Sequence, residues 1–202
     1  GVMGGIEFLN MVNSGEDVNV GKKVAVIGGG NTAIDAARTA VRLGAEEVTI
    51  YYRREEKDMP ALPKEIKDAR AEGVKVEVLV GPVRVVEEGG KAAGIELVRM
   101  DLGDVDRSAR RRPVPREGSE FTASTDLIIS AIGQDVDLEI GPGRRRAGLD
   151  FQYNRIKVDK QYRSGESKVW AGGDVVTGSA MVIDAIQAGR DAAMAIDAAV
   201  RE

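Results

Sequence analysis

Between Val24 and Ala33 the chain reads Val-Ala-Val-Ile-Gly28-Gly29-Gly30-Asn31-Thr32-Ala33. No other stretch constrains the fold as strongly. The Val-rich residues 22–27 read as a short buried strand. Residues 31–43 read as a helix with Ala33, Ala37, Ala40 and Val41 on one face, and Gly44 stands where a glycine ends a helix. A strand, a glycine turn and a helix in succession leave the N–H groups of the helix start facing outward, where they favour an anion. Each small residue has its own task. Gly28 permits the tight turn, Gly30 lets the backbone approach a pyrophosphate, and Ala33 lets helix and strand pack closely. The expected ligand is a dinucleotide held by Gly28, Gly29, Gly30, Asn31, Thr32 and Ala33. The alternative is a plain glycine turn in an α/β domain.

The next strand bears on which dinucleotide. A site for unphosphorylated ribose places Asp or Glu about 20 residues past the glycines. Here residues 48–52 run into Arg53-Arg54, and two guanidinium groups suit a 2′-phosphate through forked, charge-assisted hydrogen bonds. Glu55 and Glu56 follow at once, so a solvated mixed-charge loop is the competing reading. The pattern favours NADPH over NADH.

Further along, residues 63–72 predict a second helix and residues 74–80 a third strand. Residues 83–86 and 94–100 predict strands of a β-meander around the Glu88-Gly-Gly-Lys91 turn. The Arg- and Pro-rich residues 101–116 read as a surface loop, and residues 126–132 as another buried strand. The arginines at 107, 110, 111, 112 and 116 lie among acidic residues, which favours a solvated loop over a docking patch. Arg144, Arg145 and Arg146, flanked by glycine, read as a soluble turn. Asp35 and Arg38 are spaced for an i,i+3 pair. Tyr51, Tyr52 and Trp170 read as packing residues. Residues 169–200 combine a strand, a glycine turn and a helix. The fold class expected is α/β: a Rossmann-like domain, a parallel sheet with helices plus a β-meander, followed by a further segment.

Composition removes several chemistries. The chain has no cysteine and no histidine, which leaves no disulfides, no thiol redox centre, no usual zinc site and no histidine base. Neither a catalytic side chain nor a metal site is expected, and redox chemistry requires a bound organic cofactor. A net charge of -4, a pI near 5.2 and 4% aromatic residues speak against a nucleic-acid or membrane partner. No apolar run is long enough for a membrane span, and the first residues lack a signal-peptide pattern, so a cytoplasmic location is expected. The absence of Met at position 1 suggests processing or an excerpt from a longer chain.

Several motifs in order resemble those of the NADPH-dependent glutamate synthase small (beta) subunit family. They are Gly28-Gly-Gly-Asn-Thr-Ala33, Tyr52-Arg-Arg-Glu55, Met59-Pro-Ala61, Arg110-Arg-Arg-Pro-Val-Pro115, Gly118-Ser-Glu-Phe121, Ala131-Ile-Gly133-Gln134, Trp170-Ala-Gly-Gly173-Asp174, Thr177-Gly178 and Met181-Val-Ile-Asp-Ala-Ile186. They cover essentially the whole chain and are shared with the NADPH-binding part of dihydropyrimidine dehydrogenase and the flavin subunit of ferredoxin-linked transhydrogenases. The resemblance implies an NADPH-dependent flavoprotein in which NADPH passes hydride to FAD, and FAD then sends single electrons to iron–sulfur clusters or a large subunit. It implies that the Gly172-Gly173-Asp174 turn belongs to the FAD domain, with Asp174 contacting the flavin's ribityl or phosphate region and Gly173 in the cofactor-binding set. It also implies that a helix starting over Ala180, Met181 and Val182 aims its N–H groups at the flavin ring, and it adds Gly133 to the cofactor-binding set. Family members carry an earlier glycine motif for FAD and upstream cysteine motifs, and nothing before Gly21 supplies either. The division expected is a lead-in segment from the FAD domain over residues 1–20, the NADPH domain over 21–134 and a partial FAD-domain segment over 135–202. FAD binding is then expected only with the missing segment present, and the chain alone is expected to be inactive. A nucleotide-binding module without catalysis is the second reading. A stand-alone dehydrogenase ranks last, for want of a Tyr-x-x-x-Lys pair or a histidine.

Overall fold

The first residues build a strand, β1 (Val2–Gly4), and a helix, α1 (Gly5–Asn13), which Glu7 caps by accepting a hydrogen bond from the Gly4 N–H at 3.2 Å. Then follow β2 (Lys23–Ile27), α2 (Asn31–Arg42), β3 (Glu47–Tyr52), α3 (Pro63–Ala71) and β4 (Lys75–Val78). Both α2 and α3 end on a glycine wrap. Gly44 and Ala45 donate back to the carbonyls of Val41 and Ala40, and Gly73 and Val74 do the same to Arg70 and Ala69. Leu79, with a φ of 56°, ends β4 and turns the chain into β5 (Val80–Glu88). The single strand expected over residues 74–80 is therefore two strands in two different sheets. β6 (Lys91–Val105), β7 (Arg111–Pro115) and β8 (Phe121–Ser124) continue the meander, and β9 (Leu127–Ser130) returns to the first sheet.

The computed structural model describes residues 1–105, 110–138, 149–165 and 168–201. They divide into two compact units, Gly1–Ile132 and Gly133–Glu202. In the first unit a five-stranded sheet runs in the order β1-β9-β2-β3-β4, with every pair parallel. Alternate side chains go to opposite faces. Val24, Val26, Val48, Ile50 and Ile129 pack with Phe8, Ile34 and Ile66 of the helices. Ala25, Ile27, Tyr51 and Ile128 pack with Val80, Ile95 and Leu97 of the meander. A parallel sheet covered on both faces explains why its strands read as unbroken apolar runs. The α/β expectation with a β-meander is borne out.

The segment 101–116, expected to be a loop, is largely a hairpin. β6 runs on to Val105 and pairs with β7 in the register Met100↔Pro115, Asp101↔Val114 and Leu102↔Pro113. The prolines disguise it, because they are tolerated on an edge strand whose N–H groups have no ladder to join. Arg116 pairs with Asp101 at 2.5 Å, and Arg111 donates to the carbonyls of Gly103 and Leu102. Arg107 lies outside the described residues, as do Arg144, Arg145 and Arg146.

Arg38 bridges Glu65 and Glu72, both at 2.6 Å, and so ties α2 to α3. It reaches these carboxylates rather than Asp35, since Glu65 of α3 and Glu72 at that helix's C-cap both lie within its reach. Glu72 is held below the ordinary carboxylate range by its hydrogen bond to Arg38. At the amino ends of the strands, the Asp126 carboxylate accepts the N–H groups of Lys22 and Lys23 at 2.7 and 2.8 Å, which clips β9 to β2.

The second unit contains a small antiparallel pair, β10 (Phe151–Gln152) with β11 (Arg155–Ile156), and the helices α4 (Asp174–Thr177) and α5 (Val182–Arg201). Its core is Leu138, Leu149 and Ile156 with Val136, Phe151, Val158, Val169, Ala171 and Val175 around them. Around Val169 a single bridge, Arg163↔Trp170, stands in place of the expected strand. Among the described residues no helix is long and apolar enough to cross a membrane.

Candidate functional site

Strand order reverses at β2: β3 and β4 lie on one side of it, β9 and β1 on the other. In open parallel sheets the crevice beyond the carboxyl ends of the strands at such a point takes the ligand. The turn 28–30 occupies that position. Gly28 has a φ of 144°, a value closed to other residues, and a Cβ there would collide with the carbonyl of Ala131. A Cβ on Gly29 would lie 2.6 Å from the ring of Tyr52. Gly30 differs from both, since a Cβ built on it meets nothing within 4 Å. Its backbone is ordinary, with φ -89° and ψ 175°, and it stands at the N-cap of α2 without a side-chain cap. Gly28 and Gly29 are demanded by the protein's own packing, whereas Gly30 faces open space.

The start of α2 has donors to spare. Ala33 and Ile34 direct their N–H groups to the Gly30 carbonyl, while those of Asn31 and Thr32 bond to none of the described residues. Ala33 is fully buried, as its helix–strand packing role requires. Gly5 at the start of α1 lies against Thr32 and Ala131, where a Cβ would sit 3.1 and 3.2 Å from their side chains. The carboxyl ends of β1, β2 and β9 and two helix starts thus converge. Free backbone donors, partial positive charge and an open approach at Gly30 fit a pyrophosphate.

A second layer is formed by residues 55–62, whose contribution composition and spacing do not reveal. The Tyr52 hydroxyl donates to the Asp58 carbonyl at 2.7 Å. Ala61 N–H donates to Gly29 O at 3.0 Å, and Leu62 N–H donates to Asn31 Oδ1 at 3.1 Å. The Asn31 carbonyl oxygen is therefore engaged by the loop, which leaves its amide NH₂ for other partners. Tyr52, expected to be a packing residue, packs and also orders this loop. The two acidic residues after the arginine pair are both engaged: Glu55 with Lys57 at 2.5 Å and Glu56 with Arg70 at 2.6 Å.

Arg53 and Arg54 follow β3, whose Tyr51 carbonyl accepts the Gly28 N–H at 3.1 Å. Neighbours in sequence, they differ in setting. Arg53 is exposed and makes no hydrogen bond or ion pair with the described residues. Arg54 is buried and its Nε donates to the Arg111 carbonyl at 3.0 Å.

Of the remaining expected site residues, Gly133 follows β9 with a φ of 112° and open space on its Cβ side. Gly173 is buried and caps α4, and Asp174 is exposed in that helix's first turn. A Cβ on the adjacent Gly172 would meet the Ala188 carbonyl at 2.8 Å, so this turn lies tight against α5. Ala180 and Met181 precede α5 and Val182 opens it, all three exposed.

The family model for pyridine nucleotide-disulphide oxidoreductases matches residues 1–193. The chain is similar to the NADP(+)-dependent formate dehydrogenase subunit beta of Moorella thermoacetica, at 43% identity over 100% of this chain and 28% of that protein. It is similar to the glutamate synthase [NADPH] small chain of Escherichia coli, at 40% identity over 86% of this chain and 38% of that protein. The chain spans well under half the length of these curated relatives. Among solved structures, thioredoxin reductase of T. acidophilum superposes with a TM-score of 0.77 at 19% identity, over 100% of this chain and 58% of that one. A sheet that reverses its order at a glycine turn, the sequence motifs and the match over nearly the full length agree: the chain belongs to the pyridine nucleotide-disulphide oxidoreductase family.

Proposed function

We propose that this chain is the NADPH-binding portion of a flavin-dependent oxidoreductase in which hydride passes from NADPH to FAD and single electrons pass from FAD on to iron–sulfur or partner subunits. The observation that carries the reading is the turn at Gly30, open on its Cβ side and followed by N–H groups at Asn31 and Thr32 that are unclaimed among the described residues. The pyrophosphate is held by Gly28, Gly29, Gly30, Asn31, Thr32 and Ala33. The 2′-phosphate is taken at the Arg53–Arg54 corner, where both neighbouring glutamates are already engaged. Relatives whose names contain NADPH or NADP(+) support the phosphorylated dinucleotide. NADPH, when bound, supplies the hydride and FAD receives it. The chain's own contribution is orientation and electrostatics, which require no acid or base among its residues.

The flavin side is proposed at Gly133, Gly173, Asp174 and the start of α5 over Ala180, Met181 and Val182. The exposed apolar residues of α5 support a second unit that is one portion of a flavin domain, completed by the remainder of that domain. Partners are that remainder and an iron–sulfur or large subunit, and the setting is cytoplasmic. The final acceptor is a partner's property, so the glutamate synthase-like, transhydrogenase-like and dihydropyrimidine dehydrogenase-like versions share this chain's chemistry.

Calorimetric titration with NADPH, NADH and FAD tests the reading, with Gly30→Ala as the decisive variant. Its backbone and open surroundings keep the folding cost under about 1 kcal/mol, while the added methyl stands where the pyrophosphate approaches. Selective NADPH binding by the wild type, weakened at least about tenfold in Gly30→Ala, supports the site. Failure of the wild type to bind any dinucleotide overturns it.

A further inference from the structure

The two arginines after β3 are adjacent in sequence and opposite in environment. Arg53 is exposed and unclaimed among the described residues. Arg54 retains only 7% of its exposure. Three bonds tie its surroundings together. Its Nε donates to Arg111 O at 3.0 Å, its carbonyl accepts Leu79 N–H at 3.1 Å, and Leu79 O in turn accepts Met100 N–H at 2.8 Å. Arg111 also closes its own hairpin through Gly103 and Leu102. The end of β3 is thus joined to β7 by the buried Arg54 guanidinium, and to Leu79 and, through it, the β6 residue Met100 by backbone bonds.

Resting on the NADPH reading above, we infer that the pair divides its labour: Arg53 is the cation that meets the 2′-phosphate, and Arg54 is a positioning residue. Arg54 anchors the corner to the β6–β7 hairpin and so sets where Arg53 stands. A guanidinium whose Nε is spent on a carbonyl has lost one arm of the fork that phosphate recognition uses. The hairpin, remote in sequence from the glycine turn, then becomes a determinant of nucleotide preference.

The test is a set of NADPH and NADH titrations on the whole chain carrying Arg53→Gln, Arg54→Gln, Arg54→Ala and the double variant Arg53→Gln/Arg54→Ala. Arg53→Gln removes the charge and should weaken NADPH about tenfold or more with NADH unchanged. Arg54→Gln keeps an N–H donor for Arg111 O and should hold the NADPH preference within about threefold. Arg54→Ala, with no donor, should lower NADPH affinity through Arg53, and so add nothing once Arg53 is already Gln. An Arg54→Gln loss as large as that of Arg53→Gln, or losses that multiply in the double variant, would overturn the division. If Arg54→Ala does not fold, the Arg54→Gln comparison still decides. A wild type without preference for NADPH sinks the nucleotide reading itself, a result distinct from a preference that Arg54→Gln abolishes.

Discussion

Two helices of this chain each follow a glycine turn and have opposite relations to the rest of the molecule. α2 has 12 residues and buries Ala33, Ile34, Ala36, Ala37 and Ala40. α5 has 20 residues and buries only Ala192, while Val182, Ile186, Met194 and Val200 are each more than 60% exposed. Small residues let α2 approach its sheet closely, and the aliphatic side chains beneath fill the layer. α5 carries a comparable apolar stripe over a longer span with nothing described beneath most of it. An apolar periodicity announces that a face is to be covered, and it is silent on where the cover comes from.

The contrast can be broken by substitution. Ile34→Ala on α2 should have the largest effect, about 3 kcal/mol, because the side chain is fully buried and its removal leaves a cavity. Urea unfolding of the first unit measures it, and a loss under about 1 kcal/mol would mean that α2 is less firmly packed than its burial indicates.

The clip at Asp126 comes next. Its carboxyl is held below the ordinary range by the N–H groups of Lys23 and then Lys22. A depressed folded-state value makes the contribution present above the unfolded carboxylate's range, and it is lost as pH falls through the folded value. Asp126→Asn should therefore cost about 1 kcal/mol at neutral pH, a modest figure because the carboxylate is exposed. The two proteins should converge in stability toward acid. Parallel stability curves from pH 7 to about pH 3 would show that the clip has no electrostatic part.

The smallest effect belongs to α5. Ile186 is 62% exposed, so Ile186→Ser should change the stability of this chain by no more than about 0.5 kcal/mol. A cost of about 2 kcal/mol or more would mean that the face is already covered in solution and would collapse the contrast with α2.

Much of the first unit was legible because its signals are local. The Val-rich run, the glycine turn and the helix with its terminal glycine all depend on backbone sterics and side-chain periodicity within a few residues. The hairpin β6–β7 was not, because alternation is hard to see through arginines and prolines, and edge-strand prolines obey a rule that depends on neighbours. The break at Leu79 was also hidden, since a left-handed φ at a non-glycine residue is held by bonds to Arg54 and Met100, distant along the chain.

The candidate site divides in the same way. Local chemistry alone determined that Gly28, Gly30 and Ala33 join a buried strand to a helix through a glycine turn, and that two arginines follow the second strand. Only the tertiary structure decided that Gly28 and Gly29 are required by Ala131 and Tyr52 while Gly30 is left open. It alone turned Arg38 to Glu65 and Glu72, latched residues 55–62 onto Asn31, and gave Arg53 to solvent and Arg54 to a carbonyl 57 residues away. The physical reason is range. Backbone preference and periodicity act between neighbours, whereas burial and hydrogen-bond partnership are settled by segments that meet only when the chain has folded.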